Sequence, residues 1–221
     1  MNSIKSFLGK TGLIIVVIFT LHSCSKVKKE YYPNGQIKSE IRYKQSKRNG
    51  EAVYYHMNGY TKIICNYDND LLNGSFKSCY YNGNMERDEN YQNDTLHGSA
   101  KKYYENGKLH LDLNYKMGRL DGNYTEYHEN GQIKVEGAFY NELYQGEWFY
   151  FDNNGILIGK GVYENGKGMH VSFHYNSADT LVKTPYLKNE KHGKEMWFNR
   201  DGSLREMNIF ENGRFVSKEK Y

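Results

Sequence analysis

An Asn-Gly pair returns every 24 residues, at Asn34-Gly35, Asn58-Gly59, Asn82-Gly83, Asn106-Gly107, Asn130-Gly131 and Asn154-Gly155. One more period lands on Ala178-Asp179, and the series resumes at Asp201-Gly202 with one residue lost, so the chain holds eight units with the seventh, around residues 171–193, degenerate. Such a repeat constrains the fold more tightly than composition does. Each copy is one small unit of paired elements that shelters its apolar side only against its neighbours.

The residues that travel with each pair set the local geometry. Four before the Gly stands Tyr31, Tyr55, Cys79, Tyr103, Tyr127, Phe151, Tyr175 or Phe198, and two after it stands Ile37, Thr61, Met85, Leu109, Ile133, Leu157, Leu181 or Leu204. Eight after it comes a ring: Tyr43, Tyr67, Tyr91, Tyr115, Phe139, Tyr163 and Phe210, with Tyr186 and Leu187 competing in the seventh unit. The residues between alternate, as in Leu109-His-Leu-Asp-Leu-Asn-Tyr115, and a period of two is the signature of a strand.

A three-residue loop ending in a left-handed Gly would set the ring before the pair opposite the aliphatic residue after it and make one side uniformly apolar. A second turn closes each unit, at Asp68-Asn-Asp-Leu, Gln92-Asn-Asp-Thr, Glu164-Asn-Gly-Lys and Glu211-Asn-Gly-Arg. The expectation is an all-β chain: an elongated single-layer antiparallel sheet of about eight tandem hairpins, a β-meander solenoid. With about 16 strands near 4.8 Å apart, the ribbon would be on the order of 75 Å long. Phe76, Tyr124 and Trp148 fall on the other parity from the preceding-ring row, so either the strand kinks there or both faces carry aromatic surface.

The unit Tyr-x-x-Asn-Gly-x-Leu, a ring six residues later, and then Gly with an aromatic two beyond (Gly74-Ser-Phe76, Gly122-Asn-Tyr124, Gly146-Glu-Trp148) resembles the MORN repeat (membrane occupation and recognition nexus) in its bacterial variant form. The resemblance spans residues 31–221. It implies a sheet of hairpins that works by scaffolding or binding and brings no catalytic residues with it. Proteins of this variant group are often labelled antitoxin components of toxin–antitoxin systems.

Residues 1–23 read as a leader. Lys5 and Lys10 precede a short apolar run, and Leu21-His-Ser-Cys24 resembles the bacterial lipoprotein box, which implies a diacylglyceryl thioether on Cys24 and cleavage before it. Residues 24–30 are then a short tether, and 31–221 the repeats. The expected location is the bacterial envelope, lipid-anchored, at the outer membrane and facing the periplasm. Of 30 Lys and Arg against 26 Asp and Glu, only Lys5 and Lys10 belong to the leader, so the remainder is near neutral and lacks the basic stripe of a nucleic-acid binder.

No nucleophile, base and carboxylate stand in a catalytic arrangement, and no phosphate-cradling glycine loop or cofactor motif occurs. His97 and His192 occupy turn places, and His170 with His174 forms the one pair that suggests a metal, without a third ligand at suitable spacing. His170 reads as a decayed Gly place. Cys65 should lie across from Phe76 and Cys79 on the opposite face, giving two free buried thiols. The candidate functional residues are Cys24 for lipid attachment and the rings Tyr55, Tyr103, Tyr127, Phe151, Tyr175 and Phe198 for a partner. That reading is a non-enzymatic lipoprotein that binds a protein, with an envelope glycan or a toxin as the alternatives.

Overall fold

The computed structural model describes residues 25–221; residues 1–23, expected to be a leader, and Cys24 lie outside them. The described chain is all β, with eighteen strands running from Lys26–Tyr31 to Arg214–Lys220. Each pairs antiparallel with its neighbours in the chain, in one open sheet. Glu190–Lys191 and Gly193–Phe198 together do the work of one strand, interrupted at His192. The stretch expected as a tether is mostly strand instead: Lys26–Tyr31 pairs with Ile37–Tyr43, because Tyr31 needs a strand of its own to sit opposite Ile37.

Both turns follow from local chemistry. In the second unit the Gly59 amide donates to the His56 carbonyl (2.9 Å) and the His56 amide to the Tyr60 carbonyl (2.8 Å), closing a loop of Met57, Asn58 and Gly59. Gly59 holds φ +87°, which glycine adopts without steric cost. The ring before the pair then faces the residue after it, as in Tyr55 with Thr61 and Tyr103 with Leu109. The other turn is a two-residue type I′ hairpin, with positive φ at both centres, as at Asn69 (50°) and Asp70 (74°).

One feature corrects the expectation of a uniformly apolar side. Immediately after each of these pairs the register slips by one residue: Tyr55 faces Thr61 but Tyr54 faces Ile63, leaving Lys62 as a bulge. A bulge exchanges the faces of everything beyond it. The ring before the pair therefore lies on one face, and the ring eight after the Gly lies on the other. The kink also settles the place of Phe76, Tyr124 and Trp148, which share the face of the second ring row.

That face is the packed one. Ala52, Cys65, Phe76, Ala100, Leu113, Trp148, Tyr163 and Val182 are buried there, while Met207 is buried on the reverse, open face. A single layer achieves this by laying rings over glycines. A Cβ on Gly137 would stand 2.2 Å from the Trp148 ring, and one on Gly161 would stand 2.4 Å from the Tyr163 ring. Tyr144 lies 4.6 Å from Trp148 and 5.1 Å from Tyr163, so the fifth to seventh units share one aromatic cluster.

The seventh unit departs in two places. In the five hairpins before it, two extra residues, including a Gly of positive φ, are inserted beside the second turn: Tyr67 faces Leu72, yet Cys65 faces Phe76. Here Tyr163 faces Gly168 and Gly161 faces His170 without a break, so two residues are missing. The next loop, closed by the His174 amide on the Asp179 carbonyl, is one residue longer than its counterparts. The two changes leave a net loss of one. Consequently Phe173, facing Thr180, holds the ring place assigned to Tyr175, and Tyr186 rather than Leu187 is the second ring. His170 stands in the row of Phe76 and Trp148 rather than at a decayed glycine.

Candidate interaction surface

The edge of the ribbon at the Asn-Gly loops is stitched from unit to unit by the residue following the first ring. The Tyr32 hydroxyl donates to the Tyr55 carbonyl (2.7 Å), Tyr80 to Tyr103 (2.8 Å) and Tyr104 to Tyr127 (2.6 Å). His56 Nε2 meets the Cys79 carbonyl at 2.9 Å, and His128 Nε2 the Phe151 carbonyl at 3.1 Å. The loop asparagines add a second row. Asn58 Oδ1 accepts from the Tyr60 amide in its own loop, and its Nδ2 donates to the Tyr81 carbonyl of the next. Asn82 and Asn130 repeat this, reaching Glu105 and Asn153. The amide side chain accepts with its oxygen and donates with its nitrogen, so one residue serves two loops.

The stitching stops at the sixth unit. Asp152 occupies the place of Tyr104 and His128, but its carboxylate accepts from the Asn154 and Ile156 amides of its own loop (both 2.9 Å), which holds the carboxyl below its ordinary range. His174 Nε2 is buried without a partner, and Asn199 bonds Ser203 in its own loop. The opposite edge continues unbroken: the Gly166 amide bonds Tyr144, the Asn189 amide bonds Gly166 and the Gly213 amide bonds Lys191. Asn189 even spans two units, with Nδ2 on the Glu142 carbonyl (2.7 Å) and Oδ1 on the Tyr144 amide (2.8 Å).

Three grooves open on the open face along the Asn-Gly edge, each between the start of one unit and the loop of the next. One, of about 330 Å³, is framed by Thr61, Ile64, Cys79 and Met85. The second, about 570 Å³, is framed by Leu157, Lys160 and Phe173, and the third, about 320 Å³, by Thr180, Lys183 and Phe198. These are equivalent places in successive units. Of the candidate rings, Tyr55, Tyr103, Tyr127, Phe151 and Phe198 fall on this face as half-buried side chains, whereas Tyr175 is 57% exposed in the seventh loop and outside the row. The Tyr55 hydroxyl is engaged by Glu40 at 3.0 Å; burial and that carboxylate raise its pKa.

Four stretches, residues 27–45, 96–117, 120–142 and 144–167, match the family model described as MORN repeat variant. The chain carries MORN-variant repeats. The last match ends at residue 167, just before the two-residue loss of the seventh unit. No curated protein matches the chain. MORN repeats are in general modules for protein or membrane interaction and are a non-catalytic repeat type.

The remaining site expectations are placed by the same register. Cys65 faces Phe76, is buried and free, and its thiol is pushed up by burial. Cys79 is also free and on the other face, but only half-buried, because it floors the first groove. His170 packs edge-on against Tyr150 and shares a hydrogen bond with Ser172 Oγ (3.0 Å); burial depresses its pKa. His174 sits in the following loop, and among the described residues no group of three or more metal-ligating side chains occurs. Glu195 is the most heavily bonded buried carboxyl: burial opposes its charge, but Lys191, Trp197, Thr184 and Asn208 outweigh this and hold its pKa down.

Sequence reasoning missed Phe173, Lys160 and Lys183. The signal was present in one spacing. From Tyr163 to the next ring before a loop is ten residues, where Tyr67 to Cys79 and Tyr115 to Tyr127 is twelve.

Proposed function

We propose that the chain is a non-enzymatic scaffold of a bacterial envelope, lipid-anchored through Cys24, that holds a protein partner along the Asn-Gly edge of its open face. The observation that carries this reading is the recurrence of one groove at equivalent places in three units, with an aliphatic or ring wall and a lysine at the rim. A sheet built of such units offers a row of equal seats, which suits an extended partner better than a small substrate. The near-neutral charge and the outward leader agree with an envelope protein partner.

The test is photo-crosslinking in living cells from Met85 and Leu157, followed by mass spectrometry. One recurrent protein adduct is expected from both positions. Adducts to cell-wall glycan alone, or the same adducts from Tyr150 on the packed face, would replace the reading. The anchor is tested separately by metabolic labelling with an alkyne fatty acid, which Cys24→Ser should abolish.

A further inference from the structure

Two of the three grooves differ from the first in kind. They lie at the seams where the Asn-Gly edge is no longer stitched, since Asp152 and Asn199 turn back on their own loops and His174 Nε2 is buried without a partner. Each presents the same triplet: Leu157, Lys160 and Phe173 in one, Thr180, Lys183 and Phe198 in the other; the second is also lined by Arg200 and by Asp179 and Asp201, whose carboxylates accept from Ser177 and Ser203 of their own loops. In the first groove Ile64 stands where those lysines do and Cys79 where the rings do; its own lysine, Lys77, lies on the next strand across from Ile64 and is held by Asp88 (3.5 Å), and its ring, Tyr60, lies in the preceding loop.

The lysines are also placed unlike those upstream. In the same row along the open face, Lys29 pairs with Glu40 (2.5 Å), Lys77 with Asp88 (3.5 Å) and Lys101 with Asp112. Lys160 instead stands between Phe149 and Val171, and Lys183 between Val171 and Met196, with its ammonium 5.7 Å from the Phe198 ring. Two cations are thus spaced one unit apart beside two rings, with apolar cross-strand neighbours.

We infer that these two seams form a paired acceptor for an extended acidic peptide whose apolar side chains recur every third residue, with a carboxylate beside each. This rests on the scaffold reading and narrows it to one part of the ribbon. The spacing supports it: two strands at about 4.8 Å place the grooves about 10 Å apart. A peptide in the left-handed polyproline conformation rises about 9 Å per three residues and presents the same side each time. Such segments dock on aromatic-lined grooves at low entropic cost because they are already extended. The carboxylates meet Lys160 and Lys183, whose cross-strand neighbours Phe149, Val171 and Met196 supply no competing acid.

The experiment uses the full chain and a fluorescein-labelled peptide of repeated Pro-Glu-Leu triplets, read by anisotropy. A Pro-Lys-Leu peptide, a shuffled peptide and vesicles containing phosphatidylglycerol are the comparisons. The Glu peptide should bind, and the joint change Lys160→Glu and Lys183→Glu should weaken it by about tenfold or more. Lys116→Glu, an exposed charge reversal on the opposite edge of the ribbon, should leave it within about twofold, as a change remote from the contact does. Equal binding of the Glu and Lys peptides, indifference to the double charge reversal, or binding to vesicles alone would overturn the inference. Crosslinks to a protein from Met85 would then leave the scaffold reading standing, so the two failures are distinguishable.

Discussion

The Tyr104 hydroxyl donates to the backbone carbonyl of Tyr127, 2.6 Å away and one repeat further along the chain. The same contact ties Tyr32 to Tyr55 and Tyr80 to Tyr103, so the repeats are joined at their loops as well as through the sheet. Tyr104→Phe keeps the ring and removes the donor. It should lower unfolding stability by about 0.5–1.5 kcal/mol, measured by urea denaturation. An unchanged midpoint would show that the carbonyl is equally well served by water.

Gly137 is a packing requirement rather than a turn requirement, since the Trp148 ring lies where its Cβ would be. Gly137→Ala forces that ring off the sheet and disturbs Tyr124 and Phe139, which contact it at 5.5 Å and 5.1 Å. The expected loss is about 2 kcal/mol or more, in the range of overpacked cores. Trp emission should shift to the red in the variant. Gly35→Ala, with nothing within 4 Å of its Cβ but φ +84°, should cost less and leave the emission unchanged.

Stability should fall on mild acidification through His170. Its folded pKa is depressed below 6.5 by burial, with Lys191 adding to the effect. Below about pH 6.5 the unfolded chain takes up the proton first, so stability is lost as pH falls from there through the folded value, and it is fully present above. Tyr150 and Ser172 are its packing neighbours, and neither supplies an anion to hold the imidazolium. Thermal melts between pH 7.5 and 5 should therefore decline more steeply for the natural chain than for His170→Phe. Parallel curves would assign the decline to other groups.

The two described thiols should differ in reactivity. In a Cys24→Ser chain, Cys79 in its groove should react with a maleimide slowly under native conditions, and Cys65 only after unfolding, since burial raises both and closes off Cys65. Mass spectrometry of the native protein should give no disulfide. Loss of both free thiols without reductant would contradict the register that puts them on opposite faces.

The sequence by itself determined the hairpins. A Gly four residues past each ring dictates a loop with positive φ, and alternation between rings dictates strands; these are local demands, met within a few residues, so the period of 24 shows them directly. The position of Cys65 across from Phe76 followed from counting alone. What only the tertiary structure decided is which face each row occupies and where the rows break. A bulge costs one residue of register and carries no residue signature: Lys62, Glu86 and His110 fill it indifferently, yet it sends Tyr55 and Tyr67 to opposite faces. The seventh unit hides a loss of two residues behind a gain of one, so the repeat count suggested a small slip, whereas the pairing shows Phe173 in place of Tyr175. Hydrogen bonds between loops a whole repeat apart, and their end at Asp152, depend on the sheet bringing those loops together, which no local pattern encodes.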